Sequence, residues 1–262
     1  MIGTAWIRAA VTRATSVLIV AFVVLGVGCG GDGDGDSILV LAAASMTNVL
    51  IEVGQEFADQ SGVDVIFSFG GSNALARQVE LGAPADAVIF AGNGPMDRLE
   101  ASGEIVAGSR LDLLRNRLVL IRDTRSSPLA DIRDLASTKG RIALADPVLA
   151  PAGVYAKQAL ETSGLWESLG SRVIPTLDVR AAVGAVDTGA AAFGLVYATD
   201  AANASGVAVV LEVPEELHDP IIYPAAVVKG GNGTDATEFL EFLVSDAAKA
   251  VFMRHGFVSA SK

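Results

Sequence analysis

Apolar and polar positions along this chain switch between two periods. Residues 38–42 (ILVLA) are a short continuous apolar run, the pattern of a strand buried on both faces. The next segment sets Val49, Leu50, Val53 and Phe57 on one helical face and stops near Gly62. The pair of patterns then returns. A strand at 63–69 is followed by a helix carrying Ala74, Leu75 and Val79, and a strand at 85–90 by a short helix at 95–101 opened by Pro95. A strand at 118–122 comes next. A second set has strands at 141–145, 172–176 and 192–197, with helices at 152–163 and 179–187 between them. Strands at 207–213 and 222–228 and helices at 234–244 and 246–255 close the chain. Strands alternating with helices predict an α/β fold with parallel sheets covered on both faces, in two clusters of βα units. No self-similar period recurs, which argues against a solenoid.

The N-terminus reads differently. Arg8 and Arg13 precede the apolar run 17–25, and Gly26-Val27-Gly28-Cys29 follows. A basic region, a short apolar region and small residues predict a secretory signal over residues 1–28. The run is short for a bilayer span. A buried core helix is the competing reading, and the basic flank fits export better. Cys29 is the only cysteine, so the exported chain has no internal disulfide. Its place after Gly28 resembles the lipobox of bacterial lipoproteins, in which the cysteine is acylated and becomes the first mature residue. Leu25 lies one position further upstream than the usual apolar residue, so cleavage by an ordinary signal peptidase stays open. The following GGDGDGDS cannot build a core, and residues 29–37 read as a flexible tether. Asp32, Asp34 and Asp36 imitate the start of a calcium loop. Ser37 and Ala43 stand where that loop needs glycine and glutamate, so calcium binding is rejected.

Charge narrows the function. The formal net charge is −11, and loss of Arg8 and Arg13 with the signal makes the mature chain more acidic still. With no basic cluster, nucleic-acid binding through phosphate contacts is excluded. Acidity also gives no general attraction for an anion, so an anion site must work through local geometry. His218 and His255 lack metal-ligand spacing, and no phosphate-binding loop motif occurs. Aromatic residues make up 6% of the chain, too few for a carbohydrate platform.

Four predicted helix mouths carry the candidate chemistry. Ser45 follows the first strand, Ser72 the second, Ala152-Gly153 lies just past Pro151, and Val179 opens a fourth helix. Each alone is ordinary, because serine is a favoured helix cap and proline a favoured first residue. Converging, their N–H groups and dipoles would form a pocket for a small anion. A serine hydrolase is the reading from another class. GGSNA at 70–74 is one residue from the G-x-S-x-G elbow, with Ser72 as nucleophile and His218 or His255 downstream. Ala74 replaces the second glycine and no oxyanion motif is present, which weighs against an enzyme.

The segments AAASMTNVL, GAPADAVIFA, PAGVYAKQAL, DVRAAV, FGLVYATDA and YPAAVV resemble, in the same order, the periplasmic molybdate-binding protein of ABC transporters, the ModA family. The resemblance runs from about Ile38 to Phe257. It implies a type II periplasmic-binding-protein fold, with two lobes, a two-strand hinge and a ligand cleft between them. On this chain the lobes would comprise 38–122 with 222–262, and 123–221. It implies ligand contacts at Ser45, Ser72, Ala152, Val179 and Tyr197, from backbone N–H groups of the first four and hydroxyls of Ser45, Ser72 and Tyr197. Ser45 would cap its helix when the protein is empty and donate to the oxyanion when it is filled. Gly70-Gly71, where bulkier residues also occur in the family, would loosen the loop before Ser72. The ligand would be molybdate or tungstate, with sulfate or another tetrahedral oxyanion as the alternative. The partner would be an ABC permease. The protein would act as a monomer held to the membrane, on its periplasmic side or at the cell surface, by a lipid on Cys29, without enzymatic activity, cofactor or free metal cation.

The physics of such a site is consistent with a dianion held without counter-charge. Hydrogen bonds to a charged group contribute roughly 1.5–3 kcal/mol each, so about seven donors give on the order of 10–20 kcal/mol before costs. Nanomolar affinity needs about 12 kcal/mol. A donor-only pocket also rejects hydrogen phosphate, whose O–H would find no acceptor.

Overall fold

The computed structural model describes residues 37–126 and 129–260. The signal segment 1–28, Cys29 and the tether as far as Asp36 lie outside the described residues.

In chain order the first region comprises β1 (Ser37–Ala43), α1 (Thr47–Ser61), β2 (Asp64–Gly70), α2 (Ser72–Glu80), β3 (Ala87–Ile89), α3 (Asn93–Ser102) and β4 (Leu111–Arg115). The second comprises β5 (Leu118–Asp123), β6 (Ile142–Ala145), α4 (Pro151–Thr162), α5 (Trp166–Leu169), β7 (Val173–Thr176), α6 (Val179–Asp187), β8 (Phe193–Tyr197), α7 (Ala198–Ala202) and β9 (Val207–Glu212). The chain then returns with β10 (Ile222–Val227), α8 (Gly233–Leu243), α9 (Asp246–Arg254) and β11 (Val258–Ser259). The strands form two sheets, in the orders β11-β4-β10-β3-β1-β2 and β7-β6-β8-β5-β9. Two open α/β sheets, each covered by helices, make the two lobes of a type II periplasmic-binding-protein fold.

The helices form where the 3.6-residue period places them. Val49, Leu50, Val53 and Phe57 of α1 are buried against the first sheet, and Gly62 ends the helix in the left-handed conformation (φ 78°) that glycine adopts without a Cβ penalty. β1 lies between β3 and β2, and both its faces are covered. Val40 and Ala42 pack with Val49, Val53 and Phe239 on one side, and Leu41 packs with Leu75, Val79 and Leu99 on the other.

Three expectations change. The pattern predicted parallel sheets, but both are mixed. β10 runs antiparallel to β3 and β4, and β5 antiparallel to β8 and β9. The strand beginning at Leu118 was expected in the first lobe, with the boundary after Arg122. It lies in the second sheet, where Leu118 pairs with Tyr197 and Val119 with both Val196 and Glu212, so the first crossing between lobes falls at Asn116-Arg117. β4 was not predicted; in LDLLR only Leu113 and Leu114 are buried, which leaves no alternation to read. The two crossings touch each other: the Asn116 N–H donates to the Ile221 carbonyl at 3.2 Å, and Val213 N–H to the Leu118 carbonyl at 2.9 Å.

Candidate functional site

All four predicted helix mouths open onto one place. β1 runs into a 3-10 turn, Ala44–Met46, that carries Ser45. Ser72 is the first residue of α2, Ala152 the second of α4 after Pro151, and Val179 the first of α6. Helical N–H groups at these positions have no partner within their own helix. Ser45, Ser72, Ala152, Val179 and Tyr197 line a single cavity between the lobes. The space these residues enclose is ≈ 10 Å³, about the room of one water molecule, so any guest it takes is small.

Neither serine caps a helix, which corrects the capping role expected of Ser45. The residue before α1 is Met46 and the residue before α2 is Gly71, and neither helix has a side-chain cap. Ser45 is instead engaged from across the fold, its Oγ 3.0 Å from the Tyr223 hydroxyl. Ser72 Oγ accepts the Ala91 N–H at 3.0 Å. That bond leaves the Ser72 proton to be given elsewhere. The Tyr197 hydroxyl is buried without a hydrogen-bond partner among the described residues. Burial raises its pKa well above the ordinary phenol value, so it is a neutral donor throughout the physiological range. A buried unpaired hydroxyl is costly unless something outside the protein chain accepts from it.

No lysine, arginine or histidine is among the described residues that line the cavity. One acid does, Asp178, and its carboxylate is turned onto its own helix, accepting the Ala181 N–H at 2.9 Å. The nearest cation in sequence, Arg180, reaches away from the cavity. Its Nη1 donates to Asn48 at 2.9 Å and its Nε lies 3.3 Å from Asp200. That contact is an ion pair without hydrogen-bond alignment among the described residues, and it lowers the Asp200 pKa only weakly. Burial therefore dominates, and the Asp200 carboxyl is pushed up to about 7 despite the nearby guanidinium.

The lobes meet over the cavity. Asn73 Nδ2 donates to the Pro147 carbonyl at 2.9 Å and Ala74 N–H to the Leu149 carbonyl at 3.0 Å. Asn48 adds its contact with Arg180 and a longer one to Asn203 at 3.4 Å. Gly71 has a clear role here. A Cβ at this position would lie 2.4 Å from the Leu149 oxygen, so only glycine allows the lobes this close. The loosening expected of Gly70-Gly71 is replaced by a tight fit.

The hydrolase constellation does not assemble. His255 Nε2 contacts Glu52 at 2.7 Å and His218 Nδ1 contacts the Asp219 carbonyl at 2.7 Å. Neither histidine has a hydrogen bond to Ser72 among the described residues. Sequence reasoning missed Tyr223 and Asn116, which stand behind Ser45; Tyr223 opens the YPAAVV segment, but nothing in the sequence sets either residue against Ser45.

Residues 38–258 match the family described as bacterial extracellular solute-binding protein. The molybdate-binding protein ModA of Escherichia coli (strain K12) is 39% identical, with 82% of this chain and 86% of that protein covered. Its namesake from Haemophilus influenzae is 38% identical over 82% of this chain and 87% of its own length. Among solved structures, the periplasmic molybdate-binding protein of Azotobacter vinelandii superposes with a TM-score of 0.76 at 24% identity, covering 84% of this chain and 98% of its own.

Two predictions follow from the buried groups. In ligand-free protein, Tyr197→Phe removes a hydroxyl that has no partner, so stability is expected to stay level or rise by up to about 1 kcal/mol. Thermal denaturation after exhaustive dialysis checks this; a clear loss would mean that the hydroxyl is satisfied within the protein. Asp200 has a folded-state pKa above its unfolded value, so the folded chain keeps a proton that the unfolded chain releases. Its contribution to stability is therefore lost as pH rises from about 4 through about 7. Relative to wild type, Asp200→Asn should gain about 1 kcal/mol or more between about pH 5 and pH 7.5 in urea unfolding. A constant difference across that window would refute the shift.

Proposed function

The chain belongs to the bacterial extracellular solute-binding protein family, and we propose that it captures molybdate, and tungstate with it, outside the cytoplasm for delivery to an ABC importer. The observation that carries this reading is the fully buried hydroxyl of Tyr197, which has no partner among the described residues and belongs to a residue lining a small cavity at helix N-termini. Ser72 adds a second hydroxyl whose oxygen already accepts. What such a cavity lacks is an acceptor with several oxygens and negative charge, and a tetrahedral dianion supplies both. The naming of the E. coli and H. influenzae relatives supports molybdate as that anion.

The residues divide the work by position. Ser45 and Ser72 come from the first lobe, and Ala152, Val179 and Tyr197 from the second, so the bound anion bridges the lobes and favours the closed form. Molybdate, tungstate and sulfate are fully ionised near neutral pH and fit donors alone. Hydrogen phosphate carries a proton that meets another donor. Discrimination among the fully ionised anions falls to cavity size. Capture and release need no covalent step, and none is assigned to Ser72. The protein works as a monomer, and acylated Cys29 with the tether holds it beside its permease.

Ligand identity is tested by melting. A ligand of the folded state at 1,000 times its Kd stabilises by about 4 kcal/mol, and each kcal/mol raises Tm by about 2–4 °C in a chain of this size. Dialysed protein should melt on the order of 10 °C higher with micromolar molybdate or tungstate, and almost unchanged with sulfate or phosphate. An equal shift with sulfate would make it a sulfate receptor; no shift with any tetrahedral oxyanion would end the reading. By calorimetry, Ser45→Ala and Ser72→Ala should each weaken binding roughly 10- to 150-fold. For the anchor, Cys29→Ser should move the protein from membrane to soluble fractions, and intact mass should show acyl groups on the wild type. A soluble, unmodified wild type would rule the anchor out.

A further inference from the structure

Ser45 reaches the cavity at the end of a buried chain of hydrogen bonds that begins at the crossing between the lobes. The Asn116 amide is fixed in orientation because its Oδ1 accepts the Arg117 N–H at 2.8 Å. Its Nδ2 therefore faces inward with both hydrogens. One goes to Thr199 Oγ1 at 2.8 Å and the other to the Tyr223 hydroxyl at 3.1 Å. Asn116, Thr199, Tyr223 and Ser45 are all buried.

The direction of the last bond follows from counting protons. The Tyr223 oxygen already accepts from Asn116, and the phenol has one hydrogen to give. Ser45 Oγ, 3.0 Å away, is its partner. In the reverse arrangement Ser45 would donate to Tyr223, and the phenol hydrogen would be buried without an acceptor, which is unfavourable. Burial also keeps the Tyr223 phenol protonated, its pKa raised above the ordinary value. So Ser45 Oγ accepts from Tyr223, and its own hydrogen is left for the cavity. A hydroxyl that accepts one bond also donates the next one more strongly.

We propose that Asn116 and Tyr223 are positioning residues that fix Ser45 as a donor to the bound oxyanion, and that this fixed polarity helps the site to reject protonated anions. The inference rests on the oxyanion reading above. An anion carrying an O–H needs a free oxygen lone pair in the pocket. Tyr223 takes one of the two lone pairs at Ser45, as the Ala91 N–H does at Ser72, so each oxygen has less capacity left to accept. Removing the phenol frees the Ser45 oxygen to accept, so the losses for the two kinds of anion must differ. A purely structural role for Tyr223 would weaken both alike.

The test is a double-mutant cycle read by calorimetry on purified protein with sodium molybdate, together with inorganic phosphate measured by displacement of molybdate. Tyr223→Phe should weaken molybdate about 3- to 10-fold, while phosphate weakens less than about twofold or tightens. In a Ser45→Ala background, Tyr223→Phe should cost less than about a further twofold, because the chain no longer ends on a hydroxyl. Asn116→Leu, which keeps the phenol and removes its donor, should also weaken molybdate several-fold, again only when Ser45 is present; it serves if Tyr223→Phe does not fold. Equal losses with and without Ser45, or equal losses for molybdate and phosphate, would overturn the positioning role and leave the oxyanion reading standing. A wild type that binds no tetrahedral oxyanion would overturn both.

Discussion

The cleft is organised around hydrogen-bond donors turned inward. Water ordinarily satisfies the free N–H groups at a helix start. Here several helix starts are turned onto one small space between two lobes, and the Tyr197 hydroxyl joins them with no partner among the described residues. Leaving such groups unpaired away from water is unfavourable, and a multiply accepting anion resolves all of them together. The sheets, the crossings and the glycine at the lobe contact serve to bring these donors to one point. Acidic residues elsewhere do not conflict with that arrangement, because Asp178 is turned onto Ala181 and Asp200 stays buried beside Arg180.

Much of this was legible in the sequence, for local reasons. The apolar run at 38–42 and the helical face Val49-Leu50-Val53-Phe57 state burial and period directly, and both elements form where the pattern puts them. Four of the candidate residues, Ser45, Ser72, Ala152 and Val179, were legible as helix mouths, whereas Tyr197 came only from the family resemblance; all five line one cavity. What the pattern lacked was long-range information. The Leu118–Ile121 run announces a buried strand but not which sheet receives it, and period says nothing about strand direction. Serine's preference for helix caps is likewise local. At Ser45 it loses to a tyrosine 178 positions away in sequence, which the fold brings within 3.0 Å.

Asn116 and Tyr223 illustrate why supporting residues escape sequence reading. Asn116 sits between Arg115 and Arg117 and Tyr223 among apolar residues, and the meaning of each exists only through partners at Thr199, Arg117 and Ser45. Their location also joins two functions of the fold. Asn116 lies on the first crossing and binds the second through Ile221, so the segment about which the lobes are joined also carries the hydrogen-bond chain that ends at Ser45.

The first turn of α2 has a further consequence. Its Ser72 faces the cavity, while its Asn73 and Ala74 bond to the opposite lobe at Pro147 and Leu149. If the guest binds as proposed, one stretch of three residues would report on two separate events, arrival of the guest and arrival of the other lobe. The turn would then act as a coincidence detector, a molecular logical AND, and a permease that recognises the closed shape would read occupancy and not mere fluctuation.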